Sequence, residues 1–291
     1  MTESFDKQIR DKARELLKSG DFACVMGYER ATDGKTARPL FAYTPEEVER
    51  FVFDQYCTHN LARYIINWRD NKKSVGIVAK PCDTRAINLL INEKQIDRSK
   101  LYVIGVACQG IMEAGWGAPT EKLQLRCNTC SEPNPVLHDL LVGEFKPEAA
   151  GAAKPYADVA AMEGKSAEER DGFWQEQFSR CIRCYACRQS CVGCYCQECF
   201  VDELDPLWVG IKVAPAENAV WHTIRAFHLA GRCISCNECE RVCPVDIPLS
   251  LLNRKLEKDG LDLFQFQAGM DASVTPPFAT FKKGEKLGTG D

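Results

Sequence analysis

The amino-acid sequence predicts an α/β domain with a mostly parallel sheet, followed by a smaller, mainly α-helical domain organised by cysteines. Three observations carry this expectation. Over residues 1–143, short apolar runs alternate with segments of helical period, the pattern of βαβ units. Residues 144–172 then turn to Ala, Gly, Pro, Lys and Glu with little aliphatic bulk, the composition of a linker. Beyond them, over 173–261, one cysteine spacing occurs twice. A chain of 291 residues is long enough for two such units.

Taken in order, Phe5, Ile9, Ala13, Leu16 and Leu17 share one face of a helix that stops near Gly20. Strand-like runs follow at 22–28 and 39–43, separated by the turn-forming Asp33 and Gly34. Thr44-Pro45-Glu46-Glu47 reads as a helix start, with Val48, Phe51, Val52, Leu61, Ile65 and Trp68 as the apolar face beyond it. A buried strand at 75–79, a helix at 86–91 capped by Asp83, and a strand at 101–107 form a βαβ unit. Helical periods return at 216–230 and 248–258. Residues 262–291 read as an extended tail suited to lie along a partner subunit.

Composition excludes several function classes. Lys and Arg number 37 against 41 Asp and Glu, a net charge of −4 that gives no basic excess for nucleic acid or anionic lipid. No apolar run approaches the roughly 18 residues of a membrane span. The charged N-terminus lacks the apolar core of a secretory signal, so a cytoplasmic location is expected. The 17 cysteines should therefore meet a reducing compartment, where structural disulfides are rare. An odd count at spacings of two and three residues suits metal or cluster binding better than a disulfide framework.

Cys181-x2-Cys184-x2-Cys187-x3-Cys191 recurs as Cys233-x2-Cys236-x2-Cys239-x3-Cys243-Pro244. Three thiolates two residues apart wrap one corner of a cubane, and the fourth reaches forward to the other cluster. On that crossing, Cys181, Cys184, Cys187 and Cys243 hold one 4Fe-4S cluster, and Cys233, Cys236, Cys239 and Cys191 a second. Structural zinc is the alternative, although it prefers two Cys-x2-Cys pairs with a longer gap. Val192 stands where Pro is usual after the first run, and Cys194, Cys196 and Cys199 directly behind offer substitute ligands. The segments CIRCYACRQSC, VGCYCQECF and AFHLAGRCISCNECERVCPVDIPLSLLNRKL resemble two-cluster bacterial-type ferredoxin domains. Such domains are found in electron-transfer subunits of anaerobic hydrogenases, sulfite reductases and heterodisulfide-reductase-like complexes.

A third constellation lies in the first domain. Cys82 follows strand 75–79 and Cys108 ends the next strand, so parallel strands place both at one sheet edge, where open α/β sheets bind ligands. Cys127-x2-Cys130 arrives close enough to fold over that edge, completing four thiolates for a third cluster. Spacing equally allows Cys82 and Cys108 as packing residues, and Cys127 with Cys130 as a half zinc site or a redox pair. VGIVAKPCDTRAI, VIGVACQG and RCNTC are similar to the N-terminal domain of the beta subunits of deazaflavin-coenzyme hydrogenases and dehydrogenases, over about residues 20–143. That resemblance implies an iron–sulfur cluster on these cysteines, and FAD. FAD is the less favoured part of that implication, because no Gly-x-Gly-x-x-Gly fingerprint is present and the cysteine-rich unit occupies the remaining length.

Cys57, beside His59, reads as a packing residue or a minor ligand, with a further site shared by Cys57, Cys194, Cys196 and Cys199 as a weaker option. His222 and His228 read as surface groups or as neighbours of ligands. Arg180, Arg183, Arg188, Arg232 and Arg241 flank the cysteine runs, where positive charge compensates thiolates. No acid/base or nucleophilic set stands out. The functional expectation is a non-catalytic electron-transfer subunit working with larger redox-enzyme subunits of an anaerobic hydrogenase-, formate dehydrogenase- or heterodisulfide-reductase-like complex. The alternative is a flavin reductase exchanging electrons between a nicotinamide or deazaflavin coenzyme and its own clusters.

Overall fold

The computed structural model describes residues 2–115, 118–146 and 155–277. Helix α1 (Thr2–Ser19) buries Ile9, Ala13, Leu16 and Leu17 and pairs Lys12 with Glu15 and Arg14 with Asp11 on its outer side. Strand β1 (Phe22–Arg30) pairs antiparallel with β2 (Ala37–Ala42) and parallel with β3 (Ser74–Ala79). Between them lies the short helix α2 (Ala62–Ile65), and β3 leads through α3 (Pro81–Asn92) to the parallel strand β4 (Leu101–Val106). A separate antiparallel hairpin, β5 (Met112–Gly115) and β6 (Ala118–Leu123), and helix α4 (Leu125–Asn128) precede the last parallel strand, β7 (Leu140–Val142). The sheet order is β2-β1-β3-β4-β7, with β2 the antiparallel edge. Val75, Ile77, Val78 and Ala79 of β3 are all buried, as expected of a parallel strand covered on both faces.

Two local expectations in this half need correction. Residues after Thr44 form only one 3-10 turn, Glu47–Arg50, before the chain becomes extended at Phe51. Glu47 does accept from the backbone of Tyr43, at 2.7 Å, as a helix start requires. Phe51 then bridges antiparallel to Glu29, and Val52 donates to the carbonyl of Tyr28, so pairing with β1 overrides the helical period. At α3, Lys80 rather than Asp83 is the N-cap residue. Pro81 has no N–H to lose and starts the helix, which leaves Asp83 in the third position, accepting from the Lys80 backbone at 2.8 Å.

The stretch expected as a linker is partly helical. α5 (Ala157–Glu163) and α6 (Ala167–Arg180) begin within it, and the second starts in a Ser166/Glu169 capping box. Val159 is buried, and Asp158 pairs with Arg254, so this segment is bound to the C-terminal half. Residues 147–154 lie outside the described residues.

The cysteine-rich half is helical, as expected, with α7 (Ala186–Ser190), α8 (Pro215–His228), α9 (Glu238–Arg241) and α10 (Leu249–Phe264). Trp221 of α8 centres a small core with Cys181, Cys187, Cys239, Ile247 and Leu249, its indole edge-on to Tyr185 at 5.1 Å. Val192 and Ile234 join the main core of the sheet domain, so the two halves share buried surface. The tail, expected to lie along a partner subunit, begins by lying on this chain itself. Arg85, Asn88 and Asn92, on one face of α3, donate to the carbonyls of Ala268, Gly269 and Ala272 at 2.9–3.0 Å. Gly269 is left-handed, φ 77°, and a Cβ there would meet the Arg85 carbonyl oxygen at 2.3 Å. Residues 278–291 lie outside the described residues. No described helix is long and apolar enough to cross a membrane.

Candidate metal centres

At the carboxyl edge of the sheet, Cys82 sits on the first turn of α3 and Cys108 just past β4, while α4 brings in Cys127 with Cys130 behind it. All four thiols line one cavity of about 200 Å3, shared with Arg126 and Tyr156 and, from the second cysteine run, with Ile234 and Ser235. The Gly110 N–H donates to Cys108 Sγ at 3.4 Å and the Ile111 N–H to Cys127 Sγ at 3.2 Å. Amide donors of this kind favour sulfur carrying negative charge.

The two runs fold alike. The second residue after the first cysteine and the first after the second are left-handed in both: Arg183 and Tyr185, then Ser235 and Asn237, with φ between 51° and 58°. A non-glycine residue in that region carries about 1–2 kcal/mol of strain, so the surrounding loop must hold all four. Each run then enters a short helix, α7 or α9, that buries its third cysteine, Cys187 or Cys239. Cys181, Cys184, Cys187 and Cys243 line one cavity, and Cys191, Cys233, Cys236 and Cys239 line another. Each quartet thus takes three cysteines from one run and the last cysteine of the other. The Arg183 and Ile247 N–H groups donate to Cys181 and Cys243 Sγ, both at 3.4 Å.

Burial raises six of these thiols: Cys108 and Cys187 to about 11 and Cys239 to about 12, with Cys82, Cys233 and Cys236 pushed up further. Without a bound cation they stay protonated at neutral pH, so metal loading must release protons. Among the described residues no group of three or more His, Cys, Asp and Glu side chains surrounds a point for a single metal ion. A cubane gives each thiolate its own iron, so four cysteines around a shared cavity are the donor set it requires.

Cys57, Cys194, Cys196 and Cys199 are not assembled as one site. Cys57 is fully buried against its own 52–57 loop, where the Asp54 N–H donates to its sulfur at 3.4 Å. The Cys194 N–H donates to the Cys191 carbonyl at 3.3 Å, Cys196 is exposed, and Cys199 packs beside the Trp221 core. The flanking arginines mostly face carboxylates or carbonyls: Arg188 meets Asp202 at 2.7 Å, Arg241 meets Glu238 at 2.7 Å, Arg232 chelates Glu93, and Arg183 donates to Gly210 O at 2.6 Å. Arg180 reaches Gln177.

Two neighbours of the cysteines, Arg126 and Arg225, are not singled out by their sequence context, whereas His222 is one of the groups expected beside ligands. Arg126 is buried and donates to the carbonyls of Cys236, at 2.7 Å, and Thr58 while pairing with Glu238 at 3.2 Å. It ties the sheet edge to the second run. Burial opposes its charge, and the Glu238 carboxylate beside it favours the protonated guanidinium. Of the two places expected for His222 it takes the one beside a cysteine rather than the surface: it is buried, stacked on Phe178 with Nε2 3.3 Å from Cys181 Sγ. Arg225, one turn further along α8, is buried and donates to Cys187 O at 3.1 Å. A helical face was readable for α8, but which residues it would press against cysteines depends on where the distant runs dock.

The chain is 23% identical to the F420-dependent formate dehydrogenase subunit beta of Methanocaldococcus jannaschii, over 87% of this chain and 89% of that protein. It is 21% identical to the F420-dependent formate dehydrogenase 1 subunit beta of Methanococcus maripaludis, over 90% of each. No protein-family model matches. The resemblance to deazaflavin-coenzyme dehydrogenase beta subunits therefore holds, and it covers about nine-tenths of the chain rather than residues 20–143 alone.

Proposed function

From this likeness to beta subunits of a multisubunit formate dehydrogenase, we propose that the chain is the iron–sulfur electron-transfer subunit of an anaerobic oxidoreductase complex. It relays single electrons between a partner's catalytic centre and another redox carrier. The observation that carries the reading is the sorting of twelve cysteines into three cavities of four, two of them crossed between the repeated runs. Cys82, Cys108, Cys127 and Cys130 would hold one 4Fe-4S cluster, Cys191, Cys233, Cys236 and Cys239 a second, and Cys181, Cys184, Cys187 and Cys243 a third. Bound iron–sulfur clusters supply one-electron transfer. The protein's own part is to present the thiolates, aim backbone N–H groups at sulfur and exclude water.

Neighbouring contacts support an order. Ile234 and Ser235 line the sheet-edge cavity, and Arg126 bonds the Cys236 carbonyl, so the second-run site adjoins the sheet edge. On its other side Arg225 reaches from the second-run cavity to the Cys187 carbonyl. Cys184 and Ile182 are exposed, which makes the first-run site the outlet toward a partner. The F420 dependence of these relatives favours a second reading, a flavin reductase serving a deazaflavin coenzyme. The sheet-edge cavity, at about 200 Å3, is small beside the roughly 300–1,000 Å3 of most small-molecule sites.

The test is iron, sulfide, zinc and flavin quantitation on one anaerobically purified sample. About twelve irons per chain are expected from three cubanes, and Cys82→Ala should remove about four of them. Stoichiometric zinc with little iron refutes the reading. Bound flavin, with deazaflavin turnover by the isolated chain, selects the reductase.

A further inference from the structure

Four arginines are buried among the described residues: Arg85, Arg126, Arg225 and Arg254. Three face a carboxylate, Glu257 at 3.3 Å, Glu238 at 3.2 Å and Asp158 at 2.9 Å respectively. Arg225 differs. It donates to the Cys187 carbonyl at 3.1 Å, its Nε is buried without a partner, and it shows no ion pair among the described residues. Burial opposes its charge, and the groups whose anionic forms would offset this are Cys191, Cys239, Cys194 and Cys187. Guanidinium does not shed its proton to escape burial as Lys or His does, so a buried one requires an anion beside it.

The place of Arg225 says which anion. It lines the second-run cavity and is bonded to the backbone of Cys187, a member of the first-run quartet. A four-thiolate iron–sulfur centre is anionic and becomes more so by one unit on reduction, while no bond forms or breaks at the ligands. A cation held between two such centres therefore favours the reduced form of each.

We infer that Arg225 is the shared counter-ion of the two C-terminal clusters, a positioning residue that raises both of their reduction potentials and leaves the sheet-edge cluster untouched. This rests on the proposed cluster-binding function. The electron comes from a one-electron donor, dithionite in the test, and resides on the cluster iron; Arg225 exchanges neither proton nor electron.

The experiment compares the native full chain with Arg225→Gln and Arg225→Lys, each purified anaerobically. Iron and sulfide are counted first, and each sample is then titrated with dithionite under electron paramagnetic resonance. Arg225→Gln should keep its iron, while the reduced-to-oxidised ratio of both C-terminal clusters at a fixed poise falls about tenfold, or about 59 mV for a one-electron couple. Arg225→Lys should stay close to native. Loss of the C-terminal irons in Arg225→Gln but not in Arg225→Lys also supports the inference, because charge is then what those sites need.

Unchanged potentials in an iron-replete Arg225→Gln chain overturn it. So does a shift confined to one cluster, or equal shifts or equal iron loss in both variants, which would mark a role of shape. A native chain without iron would instead overturn the cluster reading beneath it.

Discussion

Replacing Arg126 by Met should loosen the seam between the sheet domain and the cysteine-rich half. Met keeps much of the stem volume, so the cavity contribution is small. What is lost is the guanidinium, which serves the carbonyls of Cys236 and Thr58 and the carboxylate of Glu238. Each stranded buried carbonyl costs about 1–3 kcal/mol. Glu238 keeps Arg241 at 2.7 Å, so its own loss is partial. The two carbonyls come to about 2–6 kcal/mol, which brackets the roughly 3–5 kcal/mol for removing one partner of a buried ion pair. Glu238→Gln should cost a similar amount, because it leaves Arg126 charged and buried with only carbonyls to face. The double variant should lose less than the two single losses together, by about 1–3 kcal/mol, since the groups share one network. Anaerobic urea titration followed by far-ultraviolet circular dichroism measures all three variants. A loss below about 1 kcal/mol for Arg126→Met, with an unchanged denaturant slope, would show that this guanidinium does not hold the seam.

Other expectations follow from single sites. Cys236→Ser should remove the same cluster as Cys191→Ser and spare the other two; different resonance signals lost in the two variants would refute the crossed ligation. Gly269→Ala should destabilise the chain by more than about 1–2 kcal/mol, since left-handed strain adds to a Cβ only 2.3 Å from the Arg85 carbonyl. Faster proteolysis within residues 265–277 is its signature, and native-like resistance would argue against it. Burial, then the charge of Arg241, hold His59 down to about 4 from 6.5. The unfolded chain thus takes up a proton that the folded one refuses, and stability should be full above about 6.5 and decline as pH falls toward about 4. Urea midpoints across that window check the sign, and His59→Gln should flatten the slope.

Several features were readable from the chain alone because their determinants are local. The period of Ile9, Ala13 and Leu16 yields α1, and the apolar runs at 75–79 and 101–107 yield neighbouring parallel strands. That geometry already puts Cys82 and Cys108 at one edge. The repeated cysteine spacing likewise contains its own loop shape, seen in the matching left-handed residues of the two runs. The helix expected after Thr44 failed because a backbone pairing with β1, distant in sequence, outweighed its period. Only the tertiary structure decided that the supposed linker and tail are held by Arg254 and by the Arg85, Asn88 and Asn92 face. It alone placed Arg126 between the halves and left Arg225 without a carboxylate partner among the described residues. Helical period and ligand spacing are encoded within a few residues, whereas the partner of a buried charge is set by whichever distant segment packs against it.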